Sequence, residues 1–194
     1  MLGGLLLLAA ALFLTGYNLW DEQRAGDAAA AILEQMAALQ GRAQEGMDSA
    51  GQMRPEDLPS PDKEMPVVTI DGEDYIGVLE FPELDLTLPV ISEWSTSKLK
   101  TAPCRYTGSA YRDNLVIAGH NYRTHFGKLQ NLSMGDSVVF YDVDGNRFAY
   151  EVAQVEELGA TAIEEMVTGD WDLTLFTCTL SGQTRFTVRC IRSE

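Results

Sequence analysis

A mainly β domain carried behind an N-terminal membrane helix is the fold class this sequence predicts, on three observations. A charge-free apolar run opens the chain, a Pro-rich stretch separates it from the rest, and short β-branched or aromatic runs follow from Val67 to the end. The expected layout is a transmembrane anchor over 1–20, a helical stalk and Pro-rich linker over 21–66, and a β-barrel domain over 67–194.

Leu2–Trp20 reads LGGLLLLAAALFLTGYNLW. As a helix at 1.5 Å per residue it measures about 28 Å, close to the ~30 Å of hydrocarbon in a bilayer. Tyr17 and Trp20 suit the headgroup layer, and Asp21 and Glu22 stop the run. A cleaved secretory signal would have a shorter apolar stretch ending in an A-x-A-like site, and none stands near Thr15–Trp20. The expectation is an uncleaved, single-pass anchor in the cell membrane.

Residues from Asp21 to about Met47 are rich in Ala, Glu and Gln, with Ile32, Leu33, Met36 and Leu39 forming a narrow apolar stripe at helical spacing. This predicts a helical stalk, the plainer alternative being that the stripe packs on the domain. Pro55, Pro59, Pro61 and Pro66 then predict an extended, solvated linker over Asp48–Pro66.

Within the domain, strands are expected at 67–70, 75–81, 86–91, 114–119, 137–142, 148–158, 173–177 and 185–191. Asp144–Gly145–Asn146 supplies a hairpin turn. Short helical crossovers are expected at Ser95–Thr101, Gly127–Leu132 and Ala162–Thr168. No Gly-rich phosphate loop opens a helix, so a dinucleotide-binding α/β fold is disfavoured and a closed or nearly closed barrel favoured.

Composition narrows the chemistry. The 194 residues carry 14 Lys+Arg against 29 Asp+Glu, a net charge of −15 that opposes a phosphate-neutralising surface and makes nucleic acid a poor partner. Three cysteines and two histidines exclude a disulfide-stapled scaffold and a CxxC…CxxC zinc site.

The reactive residues stand at strand exits. His120 follows the apolar run LVIAG through what reads as a permissive glycine, whereas His125 lacks that setting. Cys178 closes Leu173–Thr177, and Arg185 follows seven residues later, near enough for a tight connection to bring a guanidinium back beside the sulfur. Arg189 shares the strand face by even spacing and competes for that place. Thiol, imidazole and guanidinium together suit covalent acyl transfer: a nucleophile, a proton exchanger and an oxyanion stabiliser.

Thr174–Leu175–Phe176–Thr177–Cys178 resembles the TLxTC signature of the sortases, the cysteine transpeptidases of Gram-positive surfaces. Ala118–Gly119–His120 is similar to the segment carrying their histidine, and the order His, TLxTC, Arg also matches. The resemblance covers roughly Val67 to the end. It implies an eight-stranded β-barrel with Cys178 as nucleophile, His120 as general acid/base and Arg185 as oxyanion or substrate clamp, with Arg189 the second choice.

By that resemblance the substrates are surface proteins bearing an LPxTG-like C-terminal sorting signal, and the acceptor is an amine of a peptidoglycan precursor or a pilin lysine. The catalytic domain would be extracellular. No cofactor is required and no metal site is assigned. Glu156, Glu157, Glu164, Glu165 and Asp170 invite comparison with a calcium site near this loop in some sortases, but such clusters are usually solvated faces. Thr177 offers a hydroxyl to orient thiol or peptide, or is simply a β-branched strand residue.

Rival readings are an L,D-transpeptidase built on Cys190–Ile191–Arg192 and a non-catalytic, membrane-tethered peptide-binding barrel. The first lacks that family's glycine before the cysteine, a place Arg189 fills. Cys190 then reads as an alternating strand residue, and Cys104, beside Pro103 in a loop-like stretch, as a spare thiol.

Overall fold

The β-branched runs become strands in the computed structural model, which describes residues 2–45 and 59–193. In chain order these are α1 (Leu2–Glu45), β1 (Val68–Ile70), β2 (Glu73–Phe81), β3 (Leu86–Ile91), β4 (Cys104–Thr107), β5 (Leu115–Gly119) and β6 (Ser137–Asp142). Then come β7 (Arg147–Gly159), α2 (Ile163–Val167), β8 (Leu173–Cys178) and β9 (Thr184–Arg192). The three expected crossovers are a 3-10 turn at Lys98–Lys100, another at Phe126–Asn131, and α2.

Strand order is β1-β2-β3-β4-β5-β8-β9-β7-β6, and an additional β2–β6 pairing joins the two sides into a ring. Eight strands form that closed barrel, while β1 pairs only with β2 and lies outside it. The expected number of barrel strands is therefore right but one member differs. β4 replaces the 67–70 strand, and Cys104 is a fully buried strand residue, not a loop thiol. Closure removes the unpaired edges that an open sheet would present.

Alternation decides what fills the barrel. Leu115 and Ile117 of β5, Leu173 and Leu175 of β8, and Val188 and Cys190 of β9 point inward to meet Phe81, Phe126, Phe140 and Phe148 in one core. Each such buried side chain contributes about 1.5–3 kcal/mol. The Asp144–Gly145–Asn146 turn forms as expected between β6 and β7, with Gly145 at φ +86° and the buried Asp142 carboxylate accepting from the Asn146 backbone at 2.9 Å.

α1 departs from the picture of a free stalk. Its apolar first half is exposed along Leu5–Trp20, within a helix (Gly4–Leu39) long and apolar enough to cross a membrane, but Ala25, Ala29, Ile32 and Met36 are buried. Ile32 and Met36 pack with Ile70, Tyr75, Ile91, Ala102 and Cys104 in a second apolar cluster outside the barrel. The stripe thus serves packing, because small residues one turn apart let the helix approach the sheet. Of the Pro-rich linker, 48–58 lies outside the described residues. The part from Pro59 is pinned, with Arg112 Nε donating to the Pro61 carbonyl at 2.9 Å and Met65 only 6% exposed.

Candidate active site

Two strand exits meet at one end of the barrel. β5 and β8 run parallel and in register from Leu115↔Leu173 to Gly119↔Thr177, so the next residues, His120 and Cys178, leave the sheet side by side. β8 and β9 are antiparallel, and their register places Cys178 directly opposite Arg185. Adjacent strands lie about 4.8 Å apart, so the backbone positions of His120, Cys178 and Arg185 fall in one row across three neighbouring strands. Since Leu175 and Thr177 turn inward, Phe176 and Cys178 turn outward, and Cys178 is exposed.

Gly119 serves that exit in a way the sequence does not suggest. It is not among the residues at positive φ. A Cβ built there would lie 2.3 Å from Cγ of Phe126, so the glycine exists to let that ring close over the strand end. Phe126 N in turn donates to the His120 carbonyl at 3.2 Å, folding 120–126 into a tight loop.

His120 is half-buried, and its ring stacks on Tyr122 with centroids 3.8 Å apart and planes 9° from parallel. Burial holds its pKa below the ordinary 6.5, opposed by the Asp21 carboxylate and reinforced by Lys100. The ring is therefore mainly the neutral base at pH 7. His125 is fully buried with neither ring nitrogen hydrogen-bonded among the described residues, and burial pulls it down to about 4.

The two arginines that share a strand face have different surroundings. Arg185 is half-exposed, and its Nη1 donates to the Gly182 and Thr184 carbonyls at 3.2 and 3.1 Å, which orients the guanidinium at the turn. Arg189 is 2% exposed. Its Nε donates to Glu156 at 2.8 Å, its Nη1 to the Met166 carbonyl and Thr174 Oγ1, and its Nη2 to the Glu165 carbonyl at 2.7 Å. That fan of bonds holds α2 against the barrel and leaves the side chain committed.

Two depressions flank the row. Cys178 lies on a cleft of ≈ 570 Å³ with Asn121, Phe126, Glu157 and Phe186, which neither His120 nor Arg185 lines. Arg185 borders a smaller apolar pocket with Trp94, Tyr106, Ile163, Met166 and Phe176. Its aromatic wall is continuous: Trp94, Tyr106 and Phe176 meet edge to face at 5.7 and 5.4 Å.

The other residues singled out by sequence fall elsewhere. Cys104 and Cys190 are buried, and burial pushes both thiols up to about 12. Cys190 in particular sits in the core, which removes the basis of the L,D-transpeptidase alternative. Thr177 Oγ1 is buried without a hydrogen-bond partner among the described residues. Glu156 is engaged by Arg189 and Glu157 accepts from Thr184, so the acidic stretch does not converge. Among the described residues no group of three or more potential ligands is placed to hold a metal.

Comparison with known proteins now bears on this geometry. The family model described as Sortase domain matches residues 79–193, more than half of the chain. The chain belongs to the sortase family. Solved sortases share its fold. Sortase C from Clostridium perfringens SM101 is 25% identical, with a TM-score of 0.56 over 62% of this chain and 71% of that one. SortaseC1 from Streptococcus suis is 27% identical, with a TM-score of 0.54 over 62% and 73%. Sortase A from Corynebacterium diphtheriae, at 22% identity, is alike in fold, with a TM-score of 0.56 over 63% and 62%. A search of curated protein sequences finds no match. Sortases are transpeptidases that act at the cell surface, and an N-terminal apolar helix is consistent with anchoring there.

Proposed function

We propose that this sortase cleaves an LPxTG-like sorting signal through a thioester on Cys178 and passes the acyl group to an amine. The observation that carries this reading is the single row of His120, Cys178 and Arg185 across β5, β8 and β9.

Cys178 gives up its proton to the neutral His120 ring and attacks the threonine carbonyl of the signal. The tetrahedral oxyanion forms beside Arg185, whose planar fork of donors, already oriented by two turn carbonyls, stabilises it. His120 then protonates the departing amine, the carbon–nitrogen bond breaks and a thioester remains. An incoming amine, from a peptidoglycan precursor or a pilin lysine, loses its proton to His120 as it displaces the sulfur. No step requires a metal or organic cofactor.

The apolar pocket of Trp94, Tyr106 and Phe176 is suited to an aliphatic side chain of the signal upstream of the scissile bond, since Phe176 precedes Cys178 by two residues on the same face. With α1 crossing the membrane once, the barrel lies outside the cell, where sorting signals and wall precursors are displayed.

The test is intact-mass spectrometry of the full chain in micelles mixed with a panel of sorting peptides. A thioester adduct mapping to Cys178, lost in Cys178→Ala and discharged by an added amine, is the expected result. Cleavage that persists in Cys178→Ala would overturn the reading.

A further inference from the structure

Residues of α1, about a hundred positions earlier in the chain, grip the His120 loop. Tyr122, the ring on which His120 stacks, donates its hydroxyl hydrogen to Asp21 Oδ2 at 2.5 Å. The Arg123 backbone N–H donates to the Glu22 carboxylate, and Thr124 Oγ1 donates to the Glu22 carbonyl at 3.0 Å. One turn further, Gly26 comes so close that a Cβ there would lie 2.9 Å from Thr124 Cγ2. Ala25 is buried next to His125. One and a half turns of helix thus grip each of Tyr122, Arg123, Thr124 and His125.

The place of this grip matters. Asp21 is the first residue after the charge-free apolar run, so the helix that is the candidate membrane span continues unbroken into the contact with the loop. The interface is polar at Asp21 and Glu22 and close-packed at Ala25 and Gly26, which is more than a tether requires. A stacked ring whose far end is fixed by a carboxylate has little freedom to swing, and the imidazole lying flat on it at 3.8 Å inherits that restraint.

We infer that Asp21, acting through Tyr122, is a positioning residue for His120, so that the membrane helix completes the active site. This rests on the reading of His120 as the acid/base. Burial and the Asp21 carboxylate both hold the Tyr122 phenol above its usual range, so it remains the proton donor in the pair at any working pH. The charged groups acting on His120 are Asp21 from α1 and Lys100 from the turn after β3; Tyr122 and His125 of its own loop lie beside it, and the strand register sets the backbone of Cys178 next to it with Arg185 one strand further.

The test compares the full chain in micelles with Tyr122→Phe, Asp21→Asn and Asp21→Glu, using the fluorogenic LPxTG-type peptide that the wild type cleaves fastest. Tyr122→Phe keeps the stacked ring and deletes one oxygen, so folding should survive, as an unchanged melting temperature would record. Expected for Tyr122→Phe and Asp21→Asn are a loss in kcat of about tenfold with KM unchanged, partial rescue in Asp21→Glu, and no further loss in the double variant. Their His120 ring resonances should also titrate at a different midpoint from the wild type.

Wild-type kcat and His120 titration in both single variants, with His120→Ala inactive, would overturn this inference and leave the proposed function standing. Activity retained in His120→Ala would instead remove the reading beneath it.

Discussion

Cys178 and Arg185 face each other as a directly opposed pair on antiparallel β8 and β9, whereas Arg189, four residues along the same strand face, is opposed to Thr174 beneath α2. One arginine is half-exposed and oriented by turn carbonyls on the strand position opposite the thiol, and the other is spent on the fold. Arg185→Lys should therefore lower turnover by about a hundredfold with little change in stability, because an ammonium cannot reproduce the fork. Arg189→Lys should do the reverse, lowering stability by about 2–3 kcal/mol through lost bonds to Glu156 and the α2 carbonyls. Peptide cleavage and urea unfolding, measured on both variants, separate the two roles.

Burial sorts the thiols just as sharply. Cys178 is exposed, while Cys104 and Cys190 are enclosed and hold their protons up to about 12. Iodoacetamide at pH 8 should add one carbamidomethyl group to the native chain, mapping to Cys178, and three in urea. Labelling of Cys190 without denaturant would show the barrel to be open, and labelling of Cys104 would show that α1 does not cover the sheet.

Which parts of this were legible in the sequence follows from the range of the forces involved. His120 and Cys178 stand out because an apolar strand must end where a polar group begins, a local signal. β4 was hidden because Cys104–Thr107 carries only Tyr106 and Thr107 as strand-favouring residues between Pro103 and Gly108, so no β-branched or aromatic run marks it. Arg185 and Arg189 share a face by parity, so spacing cannot rank them, and only the cover supplied by α2 does. The grip of α1 on the His120 loop left no pattern at all. Ala25 and Gly26 read as helix composition, and the residues they meet lie about a hundred positions away.

The buried His125 predicts how stability varies with pH. Its folded pKa of about 4 lies below the ordinary 6.5, so the unfolded chain binds the extra proton between those values. This contribution is complete above pH 6.5 and is lost as pH falls toward 4, a difference of roughly 3 kcal/mol. Urea unfolding of the full chain followed by tryptophan fluorescence should show that slope, and His125→Leu should flatten it while leaving stability at pH 7.5 nearly unchanged. An identical slope in the variant would assign the acid sensitivity to carboxylates instead.

Gly119→Ala tests whether the strand exit at His120 is set by close packing or by backbone freedom. The residue is not at positive φ, so alanine meets no conformational penalty, yet its Cβ would lie 2.3 Å from Phe126 Cγ. Phe126 is fully buried, meets Phe81 edge to face at 6.1 Å, and cannot retreat without disturbing the core. The conflict should cost about 1–3 kcal/mol in urea unfolding. Because Phe126 N is bonded to the His120 carbonyl, a displaced ring carries the histidine with it, and kcat should fall by more than the unfolded fraction explains. A variant with full stability and full turnover would mean that the Phe126 ring has room to move and that the exit geometry of His120 is fixed elsewhere in the loop.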